Sequence, residues 1–255
     1  MILTHDIDWP PAGPGPDHVR ARRDRFDPAI IARVQKEGFN PYNNIAVLMD
    51  LEKANGLRST FFFRPKYDDG TPVSAYSDEI RNLQSGGWEV GAHINDAGSL
   101  ESVSTERNLL GEVCGAPPLG CRVHYLRLAP KSHSYIKEAG FEYDSSLVYS
   151  KDEVSPRNAG YQTIGGLVVF PITIMDAYVF TYMKVPEEKV PALFNSAIAS
   201  CMDRGYMTVL WHDSSILMKG GRAYPRICEL LASRDDVECM NAREAYQSVM
   251  AGANS

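Results

Sequence analysis

Short apolar runs alternate along this chain with longer stretches whose apolar positions recur at helical spacing. Ile2–Ile7 reads as a buried strand, stopped by Pro10 and Pro11. A Pro/Gly-rich loop follows to Pro16, then a charged helix is expected to about Lys36. Apolar residues at helical spacing occupy 44–55, and Gly56 ends that helix. The alternation then repeats: strand 59–63, helix 77–84, strand 88–93, helix 101–112, strand 121–126, helix 131–139 and strand 141–144. Strand 167–172 precedes helix 187–203, strand 207–212 precedes helix 224–231, and a last strand at 237–240 leads to a helix from Arg243.

Strands rich in β-branched and aromatic residues, each followed by a helix, predict an α/β fold with a parallel sheet covered by helices. Seven or eight such units predict a closed or nearly closed β/α barrel, with an open doubly wound sheet as the alternative. No Gly-x-Gly-x-x-Gly turn follows the first strand, so dinucleotide binding is not supported.

The 255 residues, 44% hydrophobic and 23% charged, suffice for one large core, and one domain over residues 1–255 is expected. A net charge of -6 argues against nucleic acid as a partner. The one basic cluster, 20–25, is interrupted by Asp24 and reads as a solvated helix face. No apolar run approaches the roughly 20 residues that span a bilayer, so no transmembrane segment is expected. The first strand begins at residue 2 and carries acids, which does not read as a signal peptide, so a cytoplasmic protein is expected. Cys114, Cys121, Cys201, Cys228 and Cys239 form no Cys-x-x-Cys pair and read as buried free thiols.

The opening segment Thr4-His5-Asp6-Ile7-Asp8-Trp9 carries the chemistry. Side chains on a strand alternate, so Asp6 and Asp8 project one way while His5 and Ile7 project the other. Two adjacent carboxylates repel each other and call for a cation, a partner arginine or a shared proton, although a turn-capping Asp8 and a solvated Asp6 would satisfy the sequence too. Other polar residues also fall at predicted strand ends: Arg64, His93, Arg122, His124, Asp144, His212 and Asp213. In parallel folds those ends converge on the face that carries the active site. His18 and His133 fall on helices and read as exposed, and His5 as a hydrogen-bonding residue in the core or helix layer.

In family order, several segments resemble the polysaccharide deacetylases (carbohydrate esterase family 4, NodB-like). They are Thr4-His5-Asp6-Ile7-Asp8, Ser59-Thr60-Phe61-Phe62-Phe63, Gly87-Trp88-Glu89-Val90-Gly91-Ala92-His93, Arg122-Val123-His124-Tyr125, Gly140-Phe141-Glu142-Tyr143-Asp144-Ser145-Ser146 and Leu210-Trp211-His212-Asp213. Within the family the chain resembles the WbmS-type O-antigen biosynthesis branch. The resemblance implies a distorted, incomplete (β/α)7-8 barrel and metal-assisted removal of an N-acetyl or O-acetyl group from a sugar. Carried over by position, Asp6 is the general base, Arg122 orients it, Asp8 and His93 are metal ligands, and His212 is the general acid. The family's second metal histidine falls at Ala97, so the third ligand must come from elsewhere. His124 is the candidate, one pleat from Arg122, with Asp96 and Asn95 as fallbacks. Tyr125, Trp9, Arg64 and Asp144 are expected at the substrate, and Trp211 and Tyr143 offer further ring faces.

The implied cofactor is a divalent metal, Zn first, with Fe, Co or Ni as alternatives. The implied partner is an acetylated sugar, nucleotide sugar or lipid-linked glycan. Hydrolysis of a non-sugar amide and a non-catalytic binding role, favoured by Ala97, are the competing readings. A phosphohydrolase using His5-Asp6 as a ligand pair is disfavoured, because those side chains diverge on a strand.

Overall fold

The computed structural model describes residues 1–253. Nine strands form one sheet: β1 (Ile2–Ile7), β2 (Thr60–Phe63), β3 (Glu89–Ile94), β4 (Gly120–Val123), β5 (Tyr143–Asp144), β6 (Gln162–Ile164), β7 (Leu167–Val169), β8 (Ile172–Met175) and β9 (Thr208–Leu210). Their order is β6-β7-β5-β4-β3-β2-β1-β9-β8, parallel throughout except for the β6–β7 hairpin. The sheet curls into a half-barrel with helices packed on it, which is the distorted, incomplete barrel expected from the resemblance. The helices are α1 (Pro16–Ala21), α2 (Pro28–Glu37), α3 (Ile45–Ala54), α4 (Ser77–Ser85), α5 (Leu100–Cys114), α6 (Ser132–Glu138), α7 (Asp176–Thr181), α8 (Val190–Cys201), α9 (Tyr224–Ala232) and α10 (Ala242–Gly252). Among the described residues, no helix is long and apolar enough to cross a membrane.

Every residue of β1 is buried, as a central strand covered on both faces requires. Leu3 and Ile7 join Phe61, Phe63, Val90, Ala92 and Ile94 under the helices. Ile2 turns the other way, into a smaller cluster with Phe62, Tyr143 and Phe170 that α10 covers with Ala242, Ala245 and Val249. Glycine makes room for these inner rings. A Cβ on Gly91 would come within 2.5 Å of the Phe62 ring, and one on Gly120 within 1.9 Å of the Tyr143 ring.

Several boundaries differ from the sequence pattern, each for a local reason. The charged helix before Lys36 is broken, because Asp27 precedes Pro28 and stays extended while Phe26 is buried. The strand expected over 167–172 divides around Pro171, which has no N–H for a ladder, into β7, one strand in from one edge of the sheet, and β8 at the other edge. Gly165 and Gly166, with φ of 57° and 82°, close the unpredicted hairpin to β6. The strand expected over 237–240 amounts to a single bridge between Ile2 and Met240. Strand β4 stops at Val123, and 124–126 form a tight turn in which Tyr125 and Leu126 have φ of 56° and 57°.

Tyr143 is fully buried and cannot swing away, so Gly120→Ala forces the sheet apart. Equilibrium urea unfolding should show a loss of about 1–3 kcal/mol, the usual cost of overpacking.

Candidate active site

Period-two alternation on β1 places Asp6 and Asp8 on the side of Thr4, at the carboxyl end of the strand. Arg122 reaches Asp6 from β4, with Nη1 donating to Asp6 Oδ1 at 2.8 Å. The guanidinium is wholly buried and its other donors are also engaged. Nη1 donates to Thr4 Oγ1 at 2.9 Å, Nε to the Ser145 carbonyl at 2.7 Å and Nη2 to Ser145 Oγ at 2.8 Å. Its carbon lies 4.6 Å from the Phe62 ring centroid. A buried arginine so saturated has no freedom to turn away from the carboxylate.

Asp8 faces imidazoles instead. In the β3–β4 register His93 stands beside Arg122. His93 Nδ1 lies 3.0 Å from the Arg122 carbonyl, which can only accept, so Nδ1 carries the proton and Nε2 points into the site. That Nε2 is 3.2 Å from Asp8 Oδ1, 3.6 Å from Asp6 Oδ2 and 3.0 Å from His124 Nδ1. His124 lies one residue past the end of β4, yet its Nδ1 still comes within 3.3 Å of Asp8 Oδ1. One donor atom from each of Asp8, His93 and His124 lies within 4.8 Å of the others.

This donor set fits a divalent cation. Burial disfavours charge on Asp8, but His124 and His93 beside it hold its carboxyl well below the usual range. Burial also lowers the His124 pKa, which favours the neutral ring a ligand must present. His93 is oriented through its second nitrogen, the usual arrangement for a ligating imidazole. His124 lacks that support, since its buried Nε2 has no hydrogen-bond partner. Two imidazoles and one carboxylate match the protein ligands of open hydrolytic zinc sites. The fallback donors are committed elsewhere. Asn95 Oδ1 accepts from Arg64 Nε at 2.7 Å, and Asp96 is exposed and accepts the Gly98 N–H at 2.8 Å.

His212 follows β9 and closes the group, with Nε2 3.7 Å from Asp8 Oδ2. Its Nδ1 lies 2.7 Å from Asp176 Oδ1, and Asp176 Oδ2 accepts the His212 N–H at 2.9 Å and the Ser215 hydroxyl at 2.5 Å. Burial disfavours the imidazolium, but Asp176 above all, then Asp8 and Asp6, raise its pKa to about 10. For Asp6, Arg122 and then the histidines overcome burial and hold the carboxyl below its usual value. The sequence pattern does not single out Asp176, because the expected strand stopped at Ile172. The signal available was the apolar run through Ile174 and Met175 that ends on this aspartate. Ser215 gives no signal of its own, and Ser145 enters only within the resembling segment 140–146.

The expected substrate residues are scattered. Tyr125 is exposed beside the site, its ring centroid 3.9 Å from that of His124. Arg64 is buried against it, donating to the Asp8 carbonyl at 3.3 Å and to Asp68 at 2.5 Å. Trp9 is half-buried and packs on His18 and Tyr42. Asp144 requires correction. It pairs in register with Cys121, whose side chain faces the helices, so it lies on the opposite side of the sheet from Arg122. It has no exposed surface, accepts from the Ser146 N–H at 3.0 Å, and sits 3.4 Å from His133 Nε2. Trp211 and Tyr143 are likewise wholly buried. His5 faces the helix layer, with Nε2 2.7 Å from the buried Glu52 Oε1. Asp213 is buried, with Oδ2 3.4 Å from the Asn44 N–H, and burial pushes its carboxyl well above the usual range.

No family model matches the chain, and no curated protein matches it. Solved structures share its fold. A protein assigned as a polysaccharide deacetylase from Mycobacterium smegmatis is 20% identical with a TM-score of 0.67, covering 99% of this chain and 90% of its own. PuuE allantoinase is 16% identical with a TM-score of 0.66, covering 98% and 89%. A protein assigned as a polysaccharide deacetylase from Pseudomonas aeruginosa PAO1 is 16% identical with a TM-score of 0.62, covering 96% and 89%.

Asp176→Asn removes the anion that stabilises the His212 imidazolium. The His212 pKa should fall from about 10 toward the ordinary histidine value of 6.5, as read by NMR titration of chelator-treated protein. An unchanged titration would show that Asp176 does not carry the shift.

Proposed function

We propose that this chain is a divalent-metal-dependent hydrolase that removes an acetyl group from the nitrogen, or in a close variant the oxygen, of a sugar. The observation that carries the reading is the division of labour between neighbouring acids. Asp6 is clamped by Arg122 at 2.8 Å, while Asp8 turns to His93 and His124. Asp8, His93 and His124 would hold the ion, Zn²⁺ first and Fe, Co or Ni as alternatives. A bound ion supplies Lewis acidity toward the acyl oxygen and lowers the pKa of water from about 15.7 to about 7.

The chain's own groups do the rest. Asp6, held ionised, takes the proton of the attacking water, and Arg122 keeps that carboxylate aimed. His212, kept protonated by Asp176, delivers a proton to the departing amine nitrogen. A backbone N–H in the Tyr125 turn supplies a donor for the charge that develops on the acyl oxygen. Tyr125 offers its ring to the sugar, Arg64 braces the Asp8 backbone, and Trp9 supports the adjoining wall. The resemblance to O-antigen biosynthesis proteins favours surface-polysaccharide assembly, with a lipid-linked glycan or nucleotide sugar as the acetylated substrate.

Asp6→Asn should preserve fold and metal content while lowering acetate release by about 10²–10⁴-fold, the usual contribution of a general base. Unchanged turnover would remove Asp6 from the mechanism. Metal analysis of His124→Ala should show loss of most bound metal, and full retention would assign the third ligand elsewhere. A panel of acetylated sugars, nucleotide sugars and small amides decides between the sugar reading and a non-sugar amidohydrolase. Purified protein that binds no divalent metal would support the non-catalytic reading.

A further inference from the structure

The geometry points to an extended, acidic glycan as the ligand of the active-site rim; this rests on the deacetylase reading and narrows its substrate class. Three connections that leave the carboxyl ends of strands carry tyrosines at the rim. Tyr125 lies in the turn after β4 and is 66% exposed, and Tyr149 follows β5 and is 40% exposed. Tyr178 lies on α7, two residues after Asp176, with the 52% exposed Tyr182 at its edge, 5.4 Å between centroids. Leu126 and Tyr178 pack on the same apolar cluster of Ile172, Met175 and Leu210, which joins the β4 turn to α7.

Tyr125, Tyr149 and Tyr178 each have a cation over the ring. The Arg127 guanidinium carbon is 4.6 Å from the Tyr125 centroid, that of Arg157 is 4.3 Å from Tyr149, and Lys151 Nζ is 5.6 Å from Tyr178. All three cations are exposed. Among the described residues, none has a carboxylate within salt-bridge distance. In a chain of net charge -6, that leaves three separate cationic points beside three aromatic faces on the reactive side. Asp152 and Glu153 share a loop with Lys151 and Arg157, so these are individual cations rather than a basic patch.

Sugar rings stack on aromatic faces, while carboxylates or phosphates along the chain pair with unneutralised cations. The Tyr125–Arg127 pair adjoins the candidate site, since Tyr125 lies against His124. A nucleotide sugar concentrates its charge in one diphosphate and calls for converging cations. Here each cation sits over its own ring, which suits charges repeated along an oligosaccharide.

The test compares binding of three probes to the metal-loaded full chain by calorimetry. They are an acidic hexasaccharide of alternating N-acetylglucosamine and glucuronic acid, a neutral N-acetylglucosamine hexamer, and UDP-N-acetylglucosamine. The acidic hexamer should bind at least about tenfold more tightly than the neutral one, and the margin should shrink with salt. The combined variant Arg127→Gln, Lys151→Gln and Arg157→Gln should erase that margin. If it unfolds, the three single variants should each erase part. Equal binding of both hexamers, or tighter binding of the nucleotide sugar, overturns the proposal. Failure of the deacetylase reading is distinguishable, because then no probe releases acetate although the acidic hexamer still binds.

Discussion

Two carboxylates at the end of one buried strand form the constraint on which the rest of the structure depends. Asp6 and Asp8 share a side of β1, and burial disfavours the charge on both. The chain resolves the conflict by giving each acid different partners. Asp6 receives a guanidinium, and Asp8 receives imidazoles. The first solution imposes conditions of its own, because a buried guanidinium must find acceptors for its N–H groups. Arg122 therefore needs Thr4 of its acceptor strand, both oxygens of Ser145 and the face of Phe62. These contacts tie β1, β2, β4 and the end of β5 together at the level of the two carboxylates.

The parallel register carries this order outward. With His93 beside Arg122, the Arg122 carbonyl is available to orient the imidazole, so one residue aims both the acid and the neighbouring histidine. The turn after β4 has two successive non-glycine residues with positive φ. Strain of this kind persists only where surrounding structure enforces it, and here the turn brings His124 to Asp8 and leaves Tyr125 exposed. On the far side, Asp176, the first residue after β8, grips both the ring and the backbone N–H of His212.

The opposite side of β1 is built as carefully. His5 and the wholly buried Glu52 form a pair that Ser59, Trp88 and Tyr224 complete, with donors 2.6–2.8 Å from the two carboxylate oxygens. His5 Nδ1 also meets the Trp211 carbonyl, next to His212. Alternate residues of one strand thus anchor the helix layer and furnish the carboxylates of the candidate site, and no one-residue slip in register would be tolerated.

The linear pattern of residues was enough to establish the alternation of strands and helices, the shared side of Asp6 and Asp8, and the placement of His93, Arg122 and His212 at strand ends. Those features are local, set by periods of two and 3.6 residues and by proline and glycine. Which polar group meets which depends on strand order and curvature, which no short segment encodes. Asp176 lies 36 residues from His212 and meets it only because β8 pairs with β9. Asp144 reads like its neighbours in sequence, yet the pleat turns it to the helices. His124 is a separate case, since it reaches Asp8 from a strained turn where the apolar pattern suggested a continuing strand. Tertiary packing selected that turn, because Leu126 finds its apolar partners on β8 and β9.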